Sequence, residues 1–250
     1  MFTRIVCLLL ALIPLEGCEK SSQKEDQKPL IVIISPDNPP FEFKETAQGG
    51  DQVIGFDVDV IKKLSQHLGR PIKIIEADFA AIIPSLQAGR ADMGISTIVA
   101  TEERRKSVDF SDPYYEHKIS LLIPDVSPIT SEKDLSNQTL GVQLGSSHEV
   151  LAKKWEVTLP GLSLVSLNKG GELVQELKNG RIQAVLTEET TAHKIAASTP
   201  GLKVVSLDIP GEELAIAFPK GSPWVVPTNQ ALKSMKEDIE KIADKWVSDE

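Results

Sequence analysis

Cysteine is nearly absent: the chain holds two, Cys7 and Cys18, both close to its start. A disulfide framework is therefore excluded for everything that follows. Histidine is equally sparse, and His67, His117, His148 and His193 are scattered with no pair at metal-ligand spacing, so no zinc site is expected. Aromatic residues make up only 5%. An excess of positive charge is also missing. Lys and Arg number 27 against 36 Asp and Glu, a formal net charge of -9, which makes a polyphosphate backbone an unsuitable partner. Beyond the first residues no apolar run is long enough to cross a bilayer. What the chain does have is a 41% hydrophobic content over 250 residues, enough for one large domain or two lobes with buried cores.

The N-terminus carries an export signal. Arg4 precedes the apolar run Ile5 to Ile13, which is the length of a signal-peptide core. Leu15-Glu16-Gly17-Cys18 follows and resembles the bacterial lipoprotein box, whose cysteine is lipidated. Leu15, Gly17 and Cys18 match that pattern, whereas Glu16 stands where a small or apolar residue is usual. The alternative is a plain cleaved signal peptide with Cys18 incidental. Residues 19–28 are polar and charged and read as a tether.

After the tether, strands and helices alternate. Leu30 to Ile34 is a continuous apolar run, as for a strand covered on both faces. Pro36, Pro39 and Pro40 make a loop. Asp57 is expected to cap a helix with the apolar face Val60, Ile61, Leu64 and Leu68, ending at Gly69. Ile72 to Ile75 and Met93 to Thr97 are further strands, with a short helix between them over Ile82, Ile83 and Leu86. The order implies a parallel sheet with right-handed crossovers. The pattern then restarts, with strands at Thr139 to Gln143, Leu162 to Leu167, Ala184 to Thr187 and Leu202 to Leu207. The intervening helices are Ser146 to Trp155, Gly171 to Asn179 and Thr190 to Ser198. Two extended runs, Ile119 to Ile123 and Leu214 to Phe218, read as crossovers between two α/β units. A final helix is marked by Leu232, Met235, Ile239, Ile242 and Trp246.

Several segments, in order and spacing, resemble the periplasmic solute-binding proteins of ABC transporters for polar amino acids. They include Pro39 to Phe43, Gly55 to Asp59, Ile83 to Gly89, Thr101 to Arg104, Val108 to Tyr115, Gly141 to Ser147 and Gly180 to Val185. The resemblance covers about Leu30 to Trp246. It implies a two-lobed type II periplasmic-binding-protein fold of class α/β, with lobe 1 formed by 29–118 and 214–250 and lobe 2 by 119–213, after a signal segment 1–18. It further implies a monomer that closes on a free amino acid and delivers it to a membrane permease, in the periplasm or cell envelope and with a lipid anchor if Cys18 is modified. No cofactor is implied.

By the same resemblance Arg104 takes the ligand α-carboxylate, a role suited to a planar guanidinium fork, and Glu188, where the family more often has Asp, takes the ammonium. Glu189 is the alternative if the register slips by one. The turn at Ser146 and Ser147 assists the carboxylate at a helix N-terminus, and Ser96, Thr97 and Val99 offer backbone and hydroxyl contacts. Phe79 and Phe41 are candidates to pack on the ligand side chain. Asn38 replaces an aromatic residue usual before Pro39. Asp37, Asn38 and Glu42, together with an aromatic face on Phe79, suggest a basic ligand, arginine first. Glutamine, histidine or lysine remain alternatives. A lyase of the same architecture, such as cyclohexadienyl dehydratase, is the rival class; for it, His148 is the histidine nearest the cleft, and Gly145-Ser146-Ser147-His148 is not a nucleophile elbow.

Overall fold

The computed structural model describes residues 28–47 and 50–247. The expected signal segment, Cys18 and nearly all of the tether lie outside them.

Two five-stranded sheets organise the chain on one plan. In the first the order is Ile72–Glu76, Leu30–Ile34, Met93–Gly94, Ala217–Pro219, Val108–Phe110. The first three are parallel and Ala217–Pro219 runs against them. In the second the order is Ser163–Leu167, Thr139–Gln143, Ala184–Glu188, Ile119–Pro124, Leu202–Ser206, again three parallel strands and then an antiparallel one. In both sheets the antiparallel fourth strand is laid down by chain that has just arrived from the other sheet.

The crossings are made by Tyr115–His117 and Glu212–Leu214, which pair antiparallel with His117 opposite Glu212. This corrects the sequence reading at one point. Ile119 to Ile123 is no crossover but a fully covered strand deep in the second sheet, which is why it is apolar at every position but Ser120. The run Leu214 to Phe218 straddles the end of one crossing strand and the start of the fourth strand of the first sheet.

Alternation along each strand feeds two cores per sheet. Leu30, Val32 and Ile34 face helix Phe56–Leu68 and the C-terminal helices, and Ile33 faces Phe79, Ile82 and Leu86. In the second sheet Leu121, Leu140 and Leu186 pack with Leu135 and Ala152, and Leu122 and Val185 with Leu173 and Leu177. The C-terminal helix is two helices, Val225–Ser234 and Lys236–Trp246, broken at Met235 (φ −102°, ψ 18°), whose side chain is fully buried. A small antiparallel sheet, Asp37–Asn38, Glu42–Ala47 and Gly50–Ile54, was not anticipated.

Gly55 holds the mouth of this first unit. It sits at φ 127°, and a Cβ there would lie 2.3 Å from the Phe41 carbonyl oxygen. That close approach lets the first turn of helix Phe56–Leu68 donate back to the proline loop, Phe56 N–H to Pro40 O and Asp57 N–H to Phe41 O.

Candidate functional site

The loops that follow the strands of the two sheets face each other, and bonds bridge them. Asp37 Oδ2 accepts from Gln143 Nε2 at 3.1 Å and from the Gly170 N–H at 3.0 Å, while its Oδ1 accepts from Ser35 Oγ at 2.7 Å. Asn38 donates to Thr97 Oγ1 at 3.1 Å and accepts from Thr191 Oγ1 at 2.7 Å, so its amide spans the cleft. Lys169 Nζ meets Asp78 Oδ1 at 2.6 Å.

Arg104 belongs to the short helix Glu102–Arg105, started by Thr101, whose hydroxyl accepts the Arg104 N–H. Its guanidinium donates to Val99 O at 2.7 Å and, across the cleft, to Gly145 O at 2.8 Å. It lies 5.4 Å over the Phe79 ring. Burial brings its pKa down to about 10, opposed by the negative charge of Glu212. The Phe79 face is thus engaged by Arg104 itself. Phe41 is not at the cleft: it is fully buried against Phe56, Tyr115 and His117, a core position.

Ser146 caps helix Ser147–Thr158, accepting from the Glu149 N–H, and Ser147 donates to Glu212 Oε2 at 2.8 Å. Glu188 ends its strand buried, with Thr187 Oγ1 donating to it at 2.8 Å. Burial raises its pKa, but His148, His117, its own backbone N–H and the Thr187 hydroxyl together outweigh this and the net shift is downward. The neighbouring Glu189 turns to Ser206 Oγ at 2.8 Å and to His193.

Two acidic residues lie behind the proline loop. Asp57 is not the helix cap that the sequence predicts: the N-cap is Gly55, and Asp57 is fully buried. Its Oδ2 accepts from the Thr97 N–H at 2.9 Å and its Oδ1 from Tyr114 OH at 2.7 Å. Thr97 is held at φ 46°, in the left-handed region, and the strand that sequence extends to Thr97 pairs only over Met93–Gly94. Glu42, also buried, accepts from Ser96 Oγ at 2.8 Å. Burial raises Asp57 to about 6, although the Thr97 and Tyr114 donors pull the other way. Burial and the Asp57 charge push Glu42 well above the ordinary carboxylate range. Buried behind the proline loop, Glu42 is no open acceptor on the cleft wall.

Two cavities of about 240 Å³ flank the bridging bonds. One is lined by Asp37, Asn38, Gln143, His148, Glu188 and Thr191 among others, the second by Phe79, Ile83, Arg104 and Gly145. Arg104 and Glu188 therefore stand on different cavities, separated by Arg104's bond to Gly145. Thr191, His117 and Glu212 sit in no motif and at no diagnostic spacing, and Gln143, although within the segment Gly141 to Ser147, is marked there only as the end of a strand. Among the described residues no cluster is suited to a metal ion, and no helix is long and apolar enough to cross a membrane.

The family model for bacterial extracellular solute-binding proteins, family 3, matches residues 30–249. The chain belongs to that family. Curated relatives include the arginine-binding extracellular protein ArtP of Bacillus subtilis (strain 168), 36% identical over 98% of this chain and 95% of the relative. Solved structures of similar shape include an ancestral arginine-binding protein bound to arginine, TM-score 0.82 and 37% identity, covering 88% of this chain and 98% of the other. An ancestral arginine-binding protein bound to glutamine gives a TM-score of 0.81 at 36% identity, covering 88% of this chain and 98% of the other. The family 3 membership accords with the paired sheets and the loop-lined cleft between them, and the family is one of solute-binding proteins.

Proposed function

We propose that this chain is the solute-capturing component of an ABC importer for a basic L-amino acid, arginine preferred, and that its lobes, 29–118 with 214–250 and 119–213, close on the ligand about the paired crossing strands. The supporting observation is the unbalanced charge of Asp37. It shares a cavity with Glu188, and its bonds come from an amide, a backbone N–H and a hydroxyl, all neutral. Arg104 and Glu188 match the two charges every amino acid carries. Asp37 is the carboxylate left for a third, positive charge at the far end. A guanidinium would replace the Gln143 and Gly170 donors with several N–H groups of its own. The carboxylate end would require Arg104 to exchange the Gly145 carbonyl for the ligand, joining the two cavities.

The test is calorimetry of protein unfolded and refolded to strip ligand, titrated with each amino acid. Arginine should bind tightest, with lysine weaker because a point ammonium does not reproduce the planar geometry. Glutamine or histidine equal to arginine would contradict the basic pocket. Glutamine is the second reading, favoured by the neutral donors that already satisfy Asp37.

We also propose export and lipid anchoring at Cys18. Cys18→Ser should release the protein from the membrane fraction, and a cleaved but unlipidated native N-terminus by mass spectrometry would contradict the anchor.

A further inference from the structure

Behind Glu188 lies a buried polar cluster that amino-acid binding, as set out above, does not use. His117, on crossing strand Tyr115–His117, and His148, in the first turn of helix Ser147–Thr158, both aim Nε2 at one atom, Glu212 Oε2, from 3.8 and 3.6 Å. Both histidines are buried, and neither Nε2 has a hydrogen-bond partner among the described residues. Their rings stand edge to face, 6.2 Å apart. His117 Nδ1 lies 3.1 Å from the Lys118 carbonyl oxygen. A carbonyl only accepts, so Nδ1 carries the proton. A neutral His117 then presents a bare lone pair to the Glu212 carboxylate, and only protonation turns that Nε2 into a donor.

His148 and Glu188 line the same cavity, and the two imidazoles together favour the ionised form of Glu188. We propose that His117, Glu212 and His148 are a proton-linked positioning group of the amino-acid site: the histidine charges and the ligand ammonium compete for Glu188, so that capture expels protons and acid loosens the ligand. This rests on placing the ligand ammonium at Glu188. The charged surroundings are Glu188 and Glu212 directly, Glu42 and Asp57, on which the Glu188 charge acts, from the small antiparallel sheet and helix Phe56–Leu68, and Arg104, which feels the charge of Glu212. On the helix of His148, Glu149 is occupied by Lys153, the Gly145 N–H and Ser166. A free amino acid's carboxylate, ammonium and guanidinium keep their charges from pH 5.5 to 7.5, so a pH dependence in that window belongs to the protein.

L-arginine titrated calorimetrically at pH 5.5, 6.5 and 7.5, in buffers of different ionisation heat, should show net proton release. Affinity should weaken about tenfold from pH 7.5 to 5.5, the factor for a one-unit drop in imidazole pKa on binding. The variant H117Q/H148Q should reduce that ratio to about twofold or less. A pH dependence that survives in it belongs to Glu42 and Asp57 and overturns the proposal. Imidazole NMR of the unmodified protein gives an answer that does not depend on how the variant folds. The midpoints of both histidines should fall on adding arginine, and unmoved midpoints overturn the proposal. If arginine does not bind at any pH, the arginine assignment fails on its own. The same titrations with L-glutamine, whose ammonium would occupy the same subsite, then decide the linkage, and failure of both ligands to bind sinks both inferences.

Discussion

Arg104 holds two carbonyls, one from each side of the cleft, with a planar fork. Arg104→Lys keeps the charge and loses that geometry. It should weaken amino-acid binding by on the order of a few kcal/mol, more than a hundredfold, because the ligand carboxylate is left desolvated and poorly matched. Binding within twofold of the unmodified protein would remove Arg104 from the site. Asp57 yields a prediction about stability. Its pKa is raised from 3.8 to about 6, chiefly by burial. The folded state therefore holds this proton more tightly than the unfolded chain. The resulting stabilisation is full below about pH 4 and is lost as pH rises to about 6. Its upper limit is about 3 kcal/mol, from the usual conversion of pKa units. Asp57→Asn does not titrate, so its unfolding free energy, measured against the unmodified protein in urea, should improve between pH 4 and pH 7. A difference constant with pH would show that Asp57 is ionised in the fold.

At the level of elements, periodicity shows through wherever a face is wholly apolar. Leu30–Ile34, Thr139–Gln143 and the helix through Val60, Ile61 and Leu64 are readable for that reason. The crossing strand Tyr115–His117 is three residues long and the pairing of Asp37–Asn38 is shorter still, too brief for any period to register. Glu42–Ala47 is mostly exposed and charged, so nothing local marks it as a strand. Asp57 fails differently: an acidic residue in a first turn usually faces solvent, and only the tertiary meeting with Thr97 and Tyr114 turns it inward. The site followed the same rule. Arg104 and Glu188 are candidates through the family resemblance alone, whereas His117 and Glu212 come together only because two crossing strands pair. Gly55 tests how tightly the proline loop and the following helix are fitted. Gly55→Ala combines a positive φ with a clash on backbone, so it should cost at least about 2 kcal/mol in urea unfolding. A loss under about 0.5 kcal/mol would mean that the loop is free to yield.

On the scale of the whole molecule, two similar sheets joined by paired strands make a cleft whose walls already touch. Those contacts differ in weight. Lys169 and Asp78 are both partly exposed, so their ion pair contributes about 1 kcal/mol at most. The Asn38 amide between Thr97 and Thr191 is part-buried, whereas the Arg104–Gly145 bond is exposed at the cleft, and the proposed ligand has to displace the latter. The central claim is that a third charge on the ligand, met by Asp37, sets specificity. L-citrulline has nearly the shape of L-arginine with an uncharged ureido group in place of the guanidinium. Calorimetric titration of the stripped protein with the two compounds at pH 7.5 isolates that charge. Arginine should bind at least about a hundredfold more tightly, since citrulline leaves the half-buried Asp37 carboxylate without a cation. Citrulline within about threefold of arginine would contradict the claim.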